Sequence, residues 1–188
     1  VPAGMFPTPG PDGVVDDATF ARTFAVNVQG PSILAEELGS LVGDAALDGS
    51  IVVTTSVNGL VAKKGSSAYD ASKAAANHLV RSLAVGLAPR IRVNAVAPAT
   101  VIEGSTMFPR DRVISSLRKY SIDFDESMSD EELVDRLSAF YADRTLLGVP
   151  IRPRDQVAAI RFLLGPEASR TTGQVLAVDG GLPDAFVR

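Results

Sequence analysis

Tyr69 and Lys73 are the residues whose type and spacing point most directly to chemistry. They lie four positions apart in the stretch SSAYDASKAAANHL, residues 66–79. Residues four apart share one face of a helix, so the phenol and the ammonium group would be neighbours. A nearby cation favours the ionised form of a phenol, whose pKa is ordinarily about 10. The pair could therefore transfer protons near neutral pH, and a surface tyrosine packed on the lysine stem is the structural alternative.

Three short apolar runs predict the strands that would position this pair. They are IVVTT (51–55), IRVNAVAP (91–98) and the run 174–178. A helix is predicted between the first two, from about Ser67 to Leu87, and Pro89 ends it. Strands that alternate with helices in this way are typical of a parallel sheet with crossover helices.

Polar residues follow two of these strands. Ser56 comes directly after 51–55, and residues 98–100 end and follow 91–98. Ligands of such sheets bind outside the carboxyl ends of the strands, and the helix that carries Tyr69 begins at the same edge. The sequence therefore predicts a polar site at this edge, without fixing its chemistry.

Residues 1–13 hold four prolines and three glycines, which predict a loop. A helix follows with Asp16 or Asp17 as its N-cap. Pro31 predicts a bend in that helix near Asn27, because proline cannot donate the helical hydrogen bond. Apolar residues at helical spacing form a stripe along the helix: Phe20, Phe24, Val28, Leu34 and Leu38.

The later part of the chain contains further predicted helices. An amphipathic segment lies around 110–119, and Ser129 with Glu132 predicts a capping box for a helix through Tyr141. A last helix is predicted to begin at Arg154 or Asp155 and to end at Gly165, before the strand 174–178.

The composition excludes several classes of protein. The 188 residues are 46% hydrophobic with a dispersed net charge of −4, so we expect one domain with a sizeable core, no nucleic-acid partner and no membrane partner. The absence of cysteine excludes disulfides and thiolate metal ligands and fits a reducing cytoplasm. His78 is the only histidine, which excludes a zinc site built on several histidines.

Four ordered motifs over residues 20–181 together resemble the short-chain dehydrogenase/reductase family. They are FAVNVQGP with Asn27, TTSVNG with Ser56, the Tyr69–Lys73 helix followed by RVNAVAPAT, and VDGG near the end. The resemblance implies a Rossmann-like, three-layer α/β/α fold and an NAD(P)-dependent oxidoreductase that acts on an alcohol, an aldehyde or a ketone. NAD is favoured over NADP, although the residues that would choose between them are not recognisable in this chain.

The resemblance also implies a role for each matching residue. Tyr69 would be the general acid/base, and Lys73 would lower its pKa and bind the nicotinamide ribose. Ser56 would hold the substrate oxygen, and Asn27 would support a water chain from Lys73 to solvent. Backbone at the end of the second strand would meet the nicotinamide carboxamide, at Pro98, Ala99 and Val101. Taken singly, each of these residues also has a purely structural interpretation.

The sequence departs from the family pattern in two ways. Ala99 and Glu103 stand where the family usually has glycine and threonine; Ser105 or Thr106 could replace the missing hydroxyl. The glycine-rich TGxxxGxG turn, which receives the pyrophosphate, is absent. We therefore expect residues 1–188 to be the C-terminal part of one short-chain dehydrogenase domain whose cofactor-binding half lies outside the chain, and we expect this part alone to be inactive. Strand 51–55 would then lie at the cut edge of the sheet.

A narrower resemblance involves the 103–150 segment, a predicted substrate loop or lid within this domain. This segment and the ending VDGGLPDAFVR look like the dehydrogenase half of bifunctional rhamnulose-1-phosphate aldolase/dehydrogenase proteins. That likeness implies lactaldehyde as substrate, in rhamnose catabolism, and a fused N-terminal aldolase domain.

Two other functions stay open. The chain could be a non-catalytic domain for oligomerisation or partner docking, because Ala74, Ala75 and Ala76 permit close helix packing and the family commonly forms dimers there. It could also be a nucleotide-sugar epimerase or dehydratase, which shares the Tyr–Lys pair. Ser56, the VDGG ending and segment 103–150 match the oxidoreductase branch better, for which we expect a homo-oligomer.

Overall fold

A computed structural model describes residues 4–7, 10, 13–44 and 48–186. Within them three parallel strands form one sheet in the order β1-β2-β3. The strands are β1 (Gly49–Thr54), β2 (Ile91–Pro98) and β3 (Val175–Val178). β1 pairs with β2, starting with Gly49 opposite Ile91, and β2 pairs with β3, starting with Ala95 opposite Val175. The predicted strands and their parallel arrangement are confirmed, with shifts of one or two residues at the ends.

Six α-helices lie in the described residues. They are α1 (Asp17–Phe24), α2 (Gly30–Asp44), α3 (Ser67–Leu87), α4 (Arg110–Lys119), α5 (Asp130–Ala142) and α6 (Pro153–Leu164). The prediction that α6 begins at Arg154 or Asp155 is wrong by one or two residues. Pro153 occupies the first helical position, where its missing N–H costs nothing, and Arg152 is the N-cap. None of these helices is both long and apolar enough to cross a bilayer.

The sheet is covered on both faces, which confirms the Rossmann-like three-layer α/β/α class. Successive strand residues point to opposite faces. Ile51 and Val53 pack with Val80 of α3 in one buried cluster. Val52, between them in sequence, packs with Leu163 of α6 on the other face. The strands are therefore apolar on both sides, as expected for a parallel sheet.

The predicted bend between α1 and α2 is a π-helical turn. It spans Ala25–Gln29 and contains Asn27, four residues before Pro31. Pro31 has no N–H for the Asn27 carbonyl, so the i→i−4 ladder is interrupted at this position. The turn also changes which residues face the sheet layer.

The buried face of the α1–α2 helix differs from the predicted apolar stripe. Phe20, Leu34 and Leu38 are 41%, 55% and 37% exposed. The buried positions recur every four residues instead, and they are small or polar: Thr23, Asn27, Pro31 and Ala35. The apolar stripe is therefore not the buried face of the helix, which contacts α3 through smaller side chains.

The 103–150 segment has an apolar cluster of its own. Leu117 of α4 and Leu137 of α5 are completely buried, with Ile102, Val113 and Leu133 around them. The predicted capping box begins α5: the Ser129 hydroxyl accepts from the N–H of Glu132, whose carboxylate accepts from the N–H of Ser129. The segment is thus a helical hairpin packed around its own core.

The predicted N-terminal loop is described in part. Residues 4–7, 10 and 13 have neither helix nor strand. The remaining residues of the predicted loop, 1–3, 8–9 and 11–12, lie outside the described residues.

Candidate active site

The first turn of α3 places Tyr69 and Lys73 side by side, as the spacing predicts. The Nζ atom of Lys73 lies 5.6 Å from the centroid of the Tyr69 ring. Tyr69 is 9% exposed and Lys73 is 4% exposed. The alternative of a surface tyrosine stacked on a lysine stem is therefore wrong.

Lys73 is held by backbone at the end of β1. Its Nζ donates a hydrogen bond of 3.2 Å to the carbonyl of Thr54. Burial lowers the pKa of Lys73 to about 8, because a charged ammonium is poorly solvated there. An ammonium has three N–H donors, and the described residues supply this one hydrogen-bond acceptor. Lys73 therefore retains capacity to bind a further oxygen.

The pKa of Tyr69 is shifted upwards from its ordinary value. Burial raises its pKa, the hydrogen bond with Ser56 opposes that shift, and the Asp70 carboxylate adds to it. The expectation that Lys73 brings the pKa of Tyr69 towards neutrality is therefore not met. The physical reason is that burial dominates, while the Lys73 ammonium is directed at the Thr54 carbonyl.

Ser56 lies where β1 ends and is buried beside Tyr69. Its hydroxyl accepts a hydrogen bond from the N–H of Asn58 at 3.1 Å and thereby caps a short 3₁₀ turn. The same hydroxyl lies 3.5 Å from the carbonyl of Pro98, at the end of β2. Gly59 lets this turn approach α3, since a Cβ there would lie 2.7 Å from the Lys73 carbonyl oxygen. The two strand ends and α3 thus converge on one hydroxyl.

Asp70 anchors the loop between Ser56 and α3. Its carboxylate accepts from the Asn58 side chain at 2.7 Å, the Lys63 N–H at 2.8 Å and the Ser66 hydroxyl at 2.7 Å. The sequence-based site did not include Asp70. Its place one residue after Tyr69, in the first turn of a helix, is a signal that could have found it.

Asn27 lies in the π-helical turn and joins two elements. Its side-chain nitrogen donates to the Ser72 hydroxyl at 2.9 Å and to the Met5 carbonyl at 3.0 Å. Its side-chain oxygen accepts from the N–H of Met5 at 2.7 Å. Asn27 therefore ties residues 4–7 to α3; its role in a water chain stays a prediction.

Phe6 covers Tyr69, which the sequence did not indicate. The two rings have centroids 4.7 Å apart and are tilted by 57°. The guanidinium carbon of Arg112, in α4, lies 4.8 Å from the Phe6 centroid. Phe6 therefore contacts both Tyr69 and the 103–150 segment.

The residues expected to contact a carboxamide lie beyond β2. Pro98 ends the strand and its carbonyl faces Ser56, while Ala99 packs against a small cluster that includes Val57. Val101 is half-buried in the loop that follows. Glu103 forms an ion pair of 2.7 Å with Arg152. Its carboxylate accepts hydrogen bonds there and does not replace the hydroxyl donor of a threonine. The predicted contacts to a cofactor stay predictions.

Three comparisons with known proteins bear on this site. A profile of the short chain dehydrogenase family matches residues 2–111, more than half of the chain. An uncharacterized oxidoreductase of Bacillus subtilis, YuxG, is 38% identical over 74% of this chain and 19% of its own length. Galactitol 2-dehydrogenase (L-tagatose-forming) of Cereibacter sphaeroides is 35% identical over 88% of this chain and 58% of its own length.

A solved structure has the same fold. The structure of 4-hydroxyisoleucine dehydrogenase complexed with NADH is 25% identical, with a TM-score of 0.72. The match covers 96% of this chain and 66% of the other. The chain thus spans less than two thirds of the length of each of these curated relatives.

Proposed function

The chain belongs to the short-chain dehydrogenase family, and on this premise we propose that its site performs the proton transfer of an NAD(P)-dependent oxidoreductase. The observation that carries the proposal is the buried trio at the sheet edge. Tyr69 forms a hydrogen bond with the Ser56 side chain, and the Lys73 ammonium lies beside the Tyr69 ring. Such a phenol can give a proton to a carbonyl oxygen or take one from a hydroxyl.

The residues present fit a nicotinamide cofactor. The buried ammonium of Lys73 has donors left over after its bond to Thr54, and a ribose hydroxyl would satisfy one of them. A bound nicotinamide would supply the hydride that pairs with the proton of Tyr69. NAD is our preferred form, and the NADH in the 4-hydroxyisoleucine dehydrogenase structure is consistent with it.

The protonation states favour a simple relay. With its pKa raised, Tyr69 is a neutral acid that can donate its proton to a carbonyl oxygen held by Ser56. Lys73, whose Nζ lies 5.6 Å from the centroid of the Tyr69 ring, would place a positive charge beside the phenolate that remains. In the oxidative direction the phenolate would take the proton of the substrate hydroxyl.

We propose lactaldehyde as the specific substrate to test first, with rhamnose catabolism as its setting. The likeness of the 103–150 segment to aldolase/dehydrogenase proteins motivates it. The match to YuxG covers 19% of that protein, so this relative carries a large part outside the match. That fact is compatible with a fused domain, and we extend the proposal to an aldolase partner on the same chain.

We also propose a homo-oligomer in the cytoplasm. Large apolar side chains of α2 and α3 are exposed: Ile33 is 50%, Leu41 67% and Val85 82% accessible. Exposed apolar groups of this number on neighbouring helices are typical of an interface. The cysteine-free composition fits a reducing compartment.

Replacing Tyr69 with Phe tests the proposed function. We expect turnover of lactaldehyde with NAD or NADP to fall by roughly a hundredfold or more, because the acid/base group is lost. NADH binding, followed by fluorescence titration, should persist, since the ring against Phe6 is kept. Retained turnover would contradict the assignment of Tyr69. The test uses the protein extended N-terminally to include the expected cofactor-binding half. If that wild-type protein shows neither turnover nor NADH binding, a non-catalytic docking domain is favoured.

A further inference from the structure

Residues 4–7 pass beside both groups of the proposed proton transfer. A Cβ added at Gly4 would lie 3.6 Å from the Nζ atom of Lys73, so the backbone there is close to the ammonium group. Two residues later, the Phe6 ring lies against the Tyr69 ring, with centroids 4.7 Å apart and planes tilted by 57°. Tilted aromatic rings at this separation attract each other. Phe6 therefore restricts both the motion of the Tyr69 ring and the access of water to it.

Asn27 fixes the backbone that carries Phe6. The side-chain oxygen of Asn27 accepts from the N–H of Met5 at 2.7 Å, and its side-chain nitrogen donates to the Met5 carbonyl at 3.0 Å. Asn27 is buried and also donates to the Ser72 hydroxyl of α3, the helix that begins beside Tyr69. The residue before Phe6 is thereby tied to the same helix as the phenol that Phe6 contacts.

Arg112 of α4 contacts the same ring. Its guanidinium carbon lies 4.8 Å from the centroid of Phe6 and 5.4 Å from that of Phe108. Among the residues that the structure describes, Arg112 forms no ion pair with a carboxylate, whereas two other arginines of α4, Arg110 and Arg118, do. The contacts of this guanidinium with the two rings are cation–π contacts, which hold an aromatic ring without displacing it.

Burial is the main influence on the pKa of Tyr69, and it raises this pKa. The charged groups nearest the phenol are Asp70 and Lys73 on α3, with Arg112 in contact through Phe6. Residues 4–7 and the turn 56–59 have no ionisable side chain. Replacement of Phe6 therefore changes the shielding of the phenol without removing a charge from the site.

We propose that Phe6 is a positioning residue for Tyr69: its ring holds the phenol in place and keeps water from it, and Arg112 holds that ring. The inference rests on the proposed function, because it concerns the proton transfer assigned to Tyr69. A phenol held in one orientation is ready to transfer its proton when a substrate oxygen is bound. Exclusion of water limits the exchange of that proton with solvent.

The rate of nitration of Tyr69 tests the shielding in the N-terminally extended protein. Tetranitromethane nitrates tyrosine through its phenolate, so the rate at about pH 8 reports the ionised fraction and the access of the reagent. Phe6→Leu should speed nitration of Tyr69, followed by mass spectrometry of peptides, by about threefold or more, because burial of the phenol decreases. Tyr120 and Tyr141 are internal references and should keep their rates.

Phe20→Leu is the matched control for the loss of an aromatic contact. The Phe20 ring stacks on Phe24 with centroids 5.2 Å apart, so its replacement should leave the nitration of Tyr69 unchanged. An unchanged rate at Tyr69 in Phe6→Leu would overturn the inference. Equal acceleration at all three tyrosines would overturn it as well, because it would show a general loosening of the fold.

Arg112→Gln decides the question if Phe6→Leu does not fold. A ring that is no longer held exposes Tyr69 and speeds its nitration, whereas loss of a positive charge alone disfavours the phenolate and slows it. Faster nitration would support the proposal, and an unchanged or slower rate would contradict the role of Arg112. Arg118→Gln is the control, because Arg118 lies on the same helix but contacts Phe124, at 5.9 Å, and pairs with Glu126.

Kinetics of the same variants separate this inference from the proposed function. In Phe6→Leu we expect kcat with lactaldehyde to fall roughly tenfold and KM to change by less than about threefold, because orientation of the acid/base group is lost. Phe6→Tyr keeps the ring and should keep kcat within about threefold of the wild-type value. Unchanged kcat in Phe6→Leu would overturn the inference. If Tyr69 nitration depends on Phe6 but the wild type shows no turnover with NAD or NADP, the shielding stands and the oxidoreductase proposal fails.

Discussion

The sheet-edge site and the 103–150 segment position their side chains by different means. At the site, Tyr69, Lys73 and Asn27 are buried. Lys73 donates to the backbone carbonyl of Thr54, and Asn27 accepts from the backbone N–H of Met5. In the 103–150 segment, Leu117 and Leu137 fill a separate apolar cluster, while caps and exposed ion pairs hold the surface. The geometry of the site thus depends on the core beside the sheet, whereas the 103–150 segment is packed around a core of its own.

This difference suggests which parts of the sequence can vary independently of the site. Ser56 and Tyr69 are positioned by β1, β2 and α3, whose packing serves the whole sheet. Arg112 is positioned by a helical hairpin that contacts the site through Phe6. The hairpin can therefore change in sequence without disturbing the elements that position Ser56 and Tyr69.

Leu117→Ala tests whether the hairpin of α4 and α5 unfolds independently of the sheet. Leu117 is completely buried in its cluster, so its removal should cost about 2–5 kcal/mol. We expect hydrogen exchange to accelerate in α4 and α5, while protection in β1, β2 and α3 persists. Leu163→Ala is the matched control, because Leu163 is equally buried but lies against the sheet. Leu163→Ala should accelerate hydrogen exchange in the sheet and in the hairpin alike. If Leu117→Ala has the same global effect, the two regions unfold together.

The sequence predicts the frame of the site because that frame depends on local patterns. The boundaries of α3 follow from Ser67 at its start and Pro89 beyond its end, and they are confirmed. Apolar runs predict β1 and β2, and the strand-end rule places Ser56 near Pro98. The π-helical turn at Asn27 follows from Pro31 four residues later.

The sequence does not predict contacts that depend on distant parts of the chain. Phe6 lies on Tyr69, 63 positions away in number, because residues 4–7 pass over the site. No periodicity in that loop indicates its path. The buried face of α1 and α2 is unpredicted for a related reason: Asn27 and Ala35 contact α3, while Phe20 and Leu34 stay exposed.

The sheet-edge site and the 103–150 segment should differ in how their contributions to the free energy of unfolding depend on pH. The pKa of Lys73 is about 8 in the folded chain and 10.5 when unperturbed. Between these pH values the unfolded chain binds more protons, so the free energy of unfolding rises with pH, by on the order of 2–3 kcal/mol at most. In the 103–150 segment, hydrogen bonds from Ser129 lower the pKa of Glu132, so its contribution is present at neutral pH and lost in acid.

Urea unfolding across this pH range measures the effect. Lys73→Met should reduce the rise above pH 8 that the wild type shows, and the lowered pKa of Lys63 accounts for a smaller remaining rise. Lys64→Met, which removes an exposed lysine of the neighbouring loop, should leave the rise unchanged. A rise of the same size in Lys73→Met and wild type would show that Lys73 does not cause it.

Ser129→Ala has the smallest expected effect of these substitutions. It changes only the N-cap of α5, at the surface of the hairpin. The Ser129 hydroxyl accepts from the Glu132 N–H at 3.3 Å, and the Ser129 N–H donates to the Glu132 carboxylate at 2.8 Å. Loss of the hydroxyl removes one partner of the box and should cost about 1 kcal/mol. Ser115→Ala, at an exposed position within α4, is the control and should change stability by less than about 0.5 kcal/mol.

The cost of Ser129→Ala should also be local and dependent on pH. Protonation of Glu132 in acid weakens the box in the wild type, so the difference between wild type and variant should shrink there. Hydrogen exchange should accelerate at the start of α5 and not around Tyr69, because the hairpin contacts the site through Phe6 and Arg112 rather than through this cap. Faster exchange in β1 or α3 would show instead that the cap of α5 supports the site, and that the two regions share one stability.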